Sequence, residues 1–400
     1  MVLSHGLALD LLNFFLADVR GGIGPYVNVF LLTEAGWTSE KIGAVLSLSG
    51  LLGIAAHAPI GAFIDETVHK RSLLAAACWV LASCGIAVAA WPVLPVVFMA
   101  DASMAALGAV FAPTVAAVSL GIVGREGLAQ RTGRNAVFDK IGNLFIATLA
   151  GTLGWLMGQR AVFLLLPFFA LLASLSAYAV PRRAIDHELA RGLTREQEAS
   201  GTEPKAWRRL FTHRPFLVLA CVTVLFHFAN APMIGLVSQK LALTAPGYET
   251  ATTSAAVVIA QLATIPMAVL VTRADRLGVK TLLLLAFCAL PLRGLLFAVL
   301  ADPFGILCAQ VLDGIGVGLF DALLPLALAD AVRGLGRYNV SRGLIGTIQG
   351  VGGSVSYAAA GWLATNAGFT GAFVALSSVA CIALAVALIC LPAAPRRRPS

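Results

Sequence analysis

Apolar residues gather into twelve runs of bilayer-crossing length, about 20 residues each. Six fall at 9–32, 42–64, 72–92, 95–121, 136–158 and 161–180, and six more at 215–243, 251–271, 279–300, 304–329, 341–365 and 370–392. One long polar stretch, 181–214, divides the two sets. The pattern predicts an all-α membrane protein of 12 transmembrane helices. Residues 1–180 form one six-helix bundle, 181–214 a cytoplasmic linker, and 215–400 a second six-helix bundle ending in a short basic tail.

Composition agrees with the pattern. Of 400 residues, 59% are apolar and 12% charged, and the mean hydropathy is +0.88. A soluble domain carries about 25% charged residues. The balance excludes a soluble enzyme, a nucleic-acid binder and a disordered scaffold. The seven cysteines are scattered through apolar runs with no CxxC or metal-ligand spacing, so they read as small apolar filler.

The net charge of +8 reads as orientation rather than as a nucleic-acid footprint. With the N-terminus inside, 23 of the 28 Lys and Arg fall on inward loops, linker and tail. Only Lys41, Arg160 and Lys240 fall outside, and Arg20 and Arg293 within spans. Both termini are therefore expected in the cytoplasm of a bacterial-type inner membrane. Residues 1–10 lack the Lys or Arg of a signal-peptide n-region, so the first run is expected to be a retained span.

The two halves repeat. A shift of 212 lays Asp101 on Asp313 and Pro113 on Pro325, in the fourth span of each half, and Phe14 on Phe226 in the first. A shift of 210 lays Asp65 on Asp275. Ordered matches at a nearly constant offset indicate a duplicated six-helix unit, the plan of many secondary transporters.

The loop after the eighth run reads Asp275-Arg276-Leu277-Gly278-Val279-Lys280. Its first-half counterpart keeps Gly61, Asp65, Lys70 and Arg71 but has Glu66 and Val68 where the second copy has Arg276 and Gly278. These loops resemble the signature G-x-L-a-D-R-x-G-R-K-x-x-L of the major facilitator superfamily. The resemblance, carried also by span count, duplication and topology, covers the chain and implies a 12-helix secondary transporter. It further implies a gate: Asp65 would meet the start of the eleventh helix near Arg342, Asp275 the start of the fifth near Arg134, and the cations would bond helix-end carbonyls. The alternative is that these are interfacial charges that only fix topology. The family's antiporter signature in the fifth span, G-x-x-x-G-P-x-x-G-G, is absent; Gly151 and Gly154 are there without a Gly-Pro pair.

A charge inside hydrocarbon costs about 2.5–3.5 kcal/mol on insertion scales and usually faces a partner or water. Here such groups concentrate in spans one, four, seven and ten: Asp18, Arg20, Asp101, His227 with Asn230, Asp313 and Asp321. Those are the cavity-lining helices of the family it resembles, so these seven are the expected substrate and coupling cavity. Arg20 could bridge to Asp101, and Arg293 to Asp313 as a structural ion pair. Two arginines cannot serve four aspartates, so Asp18 and Asp321 are the expected proton- or cation-handling carboxyls. His227 could relay protons or simply hydrogen-bond.

The run Gly314-Ile315-Gly316-Val317-Gly318 imitates a phosphate loop, but it lies inside a span and follows no strand, so close helix packing is the better reading. The expected function is secondary transport of a small organic solute by alternating access, with proton-coupled efflux preferred to uptake symport or uniport. A non-transporting sensor is a weaker rival, because the linker is too short for an effector domain. No enzyme motif, metal set or cofactor site occurs; the proton gradient is the expected driving force, and a monomer the default.

Overall fold

A computed structural model describes residues 5–17, 24–181, 183, 210–333 and 338–391. Among these there is no strand; helix follows helix. Span 1 comprises His5–Ala17 and Gly24–Thr33, span 2 Ser39–Glu66 and span 3 Lys70–Ala90. Spans 4 and 5 share the helical run Leu94–Met157, and span 6 joins the 3-10 turn Gln159–Leu164 to Leu165–Ala179. Span 7 is Arg214–Asn230 with Met233–Thr244, span 8 Glu249–Val271 and span 9 Val279–Val299. Span 10 is Pro303–Ala309 with Val311–Ala331, and spans 11 and 12 share Tyr338–Cys390.

Two expected loops are absent. Residues 122–135 were read as a loop from their polarity, yet the helical run passes through them with a single break at Gly124 (φ 69°). Gly368 (φ 72°) does the same between spans 11 and 12. A left-handed residue reverses the chain in one step, which only glycine does without steric cost. Arg131, Arg134 and Lys140 consequently ride on the span 5 helix rather than on a loop.

The chain divides into two compact units, residues 1–31 with 48–201 and residues 32–47 with 202–400. In the first, span 1 packs on spans 5 and 6, and span 3 on span 6. In the second, span 7 packs on the span 11–12 helix, span 8 on span 10, and span 9 on both spans 10 and 12. Helices in lipid gain little from hydrophobicity between them, so contact rests on close backbone approach. A Cβ on Gly142 would overlap the Phe14 carbonyl and come within 2.9 Å of Ala17 Cβ; one on Gly352 would lie 2.9 Å from the Val224 carbonyl oxygen. Both pairs are related by 210 residues, so each unit has the same crossing of its first and fifth helices.

The core of the second unit is aromatic. Phe226 stacks on Phe320 with centroids 4.2 Å apart, and Phe287 stands edge-on to both. Residues 32–47 join this unit through Ser39, whose hydroxyl donates to Gln239 Oε1 at 2.6 Å, and through Gly43, whose Cα lies against Gly361 and the Tyr357 carbonyl.

Candidate functional site

The second unit carries an open cavity of about 580 Å³. Span 7 contributes His227, span 10 Asp321 and Leu324, and span 11 Arg342, Gln349, Gly353, Ser354 and Tyr357. Arg342, Gln349, Gly353 and Tyr357 recur at helical spacing, so they form one face of span 11.

His227 is oriented by two bonds. Its Nδ1 lies 3.1 Å from the Thr223 carbonyl, one turn back on the same helix, and its Nε2 lies 3.2 Å from the Gln349 amide nitrogen. A carbonyl only accepts, so Nδ1 carries the proton, and in the neutral ring Nε2 accepts from the Gln349 amide. Phe320 packs edge-on against the imidazole, and Asp321, next along span 10, lines the same cavity. Asp321, one of the two carboxyls expected to handle protons, thus shares its cavity with a bonded imidazole–amide pair. Gln349 was not singled out in the sequence, since a lone amide in an apolar run carries no signal until its partner is known.

Asn230 and Asp313, expected in the cavity, belong to a different cluster. Arg293, 1% exposed, pairs with Asp313, donates to Asn230 Oδ1 at 2.7 Å and touches Met233 Sδ at 3.0 Å. Gln310 donates to the second Asp313 oxygen at 3.1 Å. With one carboxylate oxygen on a guanidinium and the other on an amide, this cluster ties spans 7, 9 and 10 together and leaves little for a solute.

In the first unit, Asp101 on span 4 accepts a hydrogen bond from Ser49 on span 2 and meets no cation among the described residues. Asp18 and Arg20 lie outside the described residues, and with them the expected Arg20–Asp101 bridge. Sequence reading missed Asp10. Fully buried, it receives Arg131 and the fork of Arg134, whose Nη2 lies 2.6 Å from Oδ2. Arg131 also donates to Asn135 Oδ1 at 2.7 Å, and Asn135 to Ser119 at 3.0 Å. The two guanidiniums stand three residues apart on span 5, a spacing that puts them on one face. Arg134, named above as lying near Asp275, makes its described carboxylate contact with Asp10.

The side chains of Asp65 and Asp275 lie outside the description. The basic members of their loops sit on helix ends: Lys70 donates to the Ile64 carbonyl at 2.8 Å, Arg71 to Val180 at 2.6 Å and Lys280 to Leu391 at 2.6 Å. Gly278 closes the short turn Ala274–Leu277 at φ 87°, Arg276 is exposed on it, and around Gly61 there is open space.

A duplicated set of six helices, each with its own polar clusters inside the apolar spans, defines a polytopic membrane protein of transporter type. The family model of the Major Facilitator Superfamily matches residues 9–346. Uncharacterised MFS-type transporters from two strains of Mycobacterium tuberculosis are 37% identical over 386 residues, covering 96% of this chain and 92% of each relative. Among solved structures, a mutant of the nucleoside transporter NupG superposes with a TM-score of 0.80 at 13% identity, covering 97% of this chain and 100% of that one. The xylose transporter XylE from E. coli, in a partially occluded inward open conformation, gives 0.68 at 12% identity, covering 98% and 97%. The chain belongs to the Major Facilitator Superfamily and is a membrane transporter.

Proposed function

We propose that this transporter exports a small organic solute in exchange for protons, the two competing for the His227–Gln349–Asp321 cavity of the second unit. The observation that carries this reading is the bonding of His227. As long as the ring is neutral, Nε2 accepts from Gln349 and holds that amide in one orientation. A proton arriving on Nε2 turns it into a donor, so Gln349 must rotate to offer its oxygen. Protonation thereby rewrites the hydrogen-bonding face of span 11 that a solute meets. Asp321 lines the same cavity, one residue on from the Phe320 ring that packs against the imidazole.

The protein works as a monomer in a bacterial-type inner membrane with both termini cytoplasmic, as its Lys and Arg asymmetry supports. It uses no cofactor, catalyses no covalent reaction and draws on the proton gradient alone. The missing Gly-Pro signature of the fifth span favours a second reading, uptake symport or uniport. One experiment separates these. In proteoliposomes with an imposed pH gradient, export by antiport accelerates when the solute side is less acidic than the far side. Symport shows the opposite sign, and flux indifferent to the gradient refutes proton coupling.

A further inference from the structure

The duplication sets Asp101 of span 4 over Asp313 of span 10, and the two copies meet different partners. Asp313 is closed on the Arg293 guanidinium and the Gln310 amide nitrogen. A guanidinium only donates, so that pair fixes Asp313 as the anion. Asp101 has the Ser49 hydroxyl of span 2 and meets no cation among the described residues. The sequence carries the difference. Repeat shifts of 210 and 212 lay Arg293 on Ser83 and Leu81, and the shift of 210 lays Ser49 on Ile259. Each carboxyl has a partner that the other lacks.

A tight crossing holds the hydroxyl against the carboxyl. Ser49 and Asp101 each stand one turn before Gly53 and Ala105, where a Cβ on the glycine would lie 2.6 Å from the alanine methyl. A hydroxyl both donates and accepts. It donates to the carboxylate and, turned about its C–O bond, accepts from the carboxylic acid, so the contact survives in either state. Without a cation, a charge within apolar spans is costly, and taking a proton removes it. The other described charges of this unit are engaged elsewhere: Asp10 on Arg131 and Arg134, Lys70 and Arg71 on helix-end carbonyls. His57 is exposed two turns beyond Ser49 on span 2, and the Cys84 thiol of span 3 is hydrogen-bonded to Ser103.

We propose that Asp101 is a proton-binding site of the first unit, additional to the His227 cavity of the second, loaded as the carboxylic acid on Ser49 and unloaded to water. On unloading, the carboxyl O–H bond breaks and its electron pair stays on the carboxylate oxygen. The proton goes to water, and the Ser49 hydroxyl turns from acceptor to donor. The site stands on the Ser49 contact and the missing guanidinium; its use in exchange rests on the transport reading above. With His227, it gives each half one group that takes a proton.

The test labels the purified full-length protein in detergent with dicyclohexylcarbodiimide, which attacks protonated carboxyls in apolar surroundings, and reads the label on each peptide by mass spectrometry. Asp313 is the internal standard, because it is half-buried like Asp101 but held as the anion. The expected result near neutral pH is label on Asp101 about tenfold or more above that on Asp313. Above a single midpoint it should fall about tenfold per pH unit, over the range in which the protein stays folded. The wild-type protein decides the matter without a variant. Label no greater than on Asp313 overturns the proposal, and is what an Arg20–Asp101 bridge entails. Label that does not change with pH makes Asp101 a permanent acid and overturns it too. The pH-gradient experiment above fails separately. A titrating Asp101 in a protein whose flux ignores the gradient refutes proton coupling and leaves the proton site standing. Gradient-driven flux with an unlabelled Asp101 refutes the site and leaves the coupling to His227.

Discussion

Replacing Arg293 tests whether the cluster in the second unit is a fastening between helices rather than a solute site. The guanidinium is 1% exposed and holds one oxygen of Asp313, the Asn230 amide oxygen and the Met233 sulfur. Arg293→Met fills most of the volume but leaves Asp313 with a single donor, Gln310 at 3.1 Å, and Asn230 Oδ1 without its guanidinium. Removing one member of a buried ion pair costs about 3–5 kcal/mol, most of it from the charge left behind. Spread over a unit of roughly 200 residues, each kcal/mol moves the melting temperature by about 2–4 °C, so the expected fall is roughly 6–20 °C. The double variant Arg293→Met with Asp313→Asn removes the stranded charge, and Asn at that position can still accept from Gln310. It should recover most of the loss, because neutral replacements of buried pairs are often close to neutral in stability. Melting of the purified single and double variants in detergent measures both. If the single variant loses less than about 1 kcal/mol, or the double is no better than the single, the cluster is not a buried pair holding helices together.

Asp10→Asn strands Arg131, which is 6% exposed, and should cost about 3–5 kcal/mol in melting or denaturant titration. Arg134→Gln removes a guanidinium that is 58% exposed and should cost clearly less, so equal losses would refute the ranking. Gly314→Ala drives a methyl onto the Ala260 carbonyl and Ala263, and is expected to destabilise by about 1–3 kcal/mol. Gly346→Ala meets open space in a helix and should stabilise by roughly 0.5–1 kcal/mol in the same assay.

Hydropathy and charge carried most of the architecture, because lipid demands long apolar helices and positive loops mark one side. The duplication was legible too, as residue pairs at offsets near 210. Arg293 and Asp313 could be matched as opposite charges within neighbouring spans, and the structure has them paired. What composition could not convey was continuity. Residues 122–135 look like a loop because they are polar, but polarity does not end a helix when arginines on one face find a buried carboxylate. Asp10 escaped notice for the same reason: its partners lie 121 and 124 residues away, and nothing local to it announces them. The His227–Gln349 bond spans 122 residues and depends on the azimuth of two helices, which a hydropathy pattern does not encode.

The glycine crossings bear on how the two halves should be compared. In the first unit Gly53 of span 2 admits Ala105 of span 4, with a would-be Cβ only 2.6 Å from the Ala105 methyl. In the second unit the corresponding crossing is reversed: Gly314 of span 10 admits Ala263 of span 8. An alignment of the halves sets Gly53 over Ala263, an offset of 210, and scores the column as divergence. In space each half still has a glycine notch between its second and fourth helices, cut from opposite sides, so a count of identities understates the kinship of the copies wherever the gap can be supplied by either neighbour.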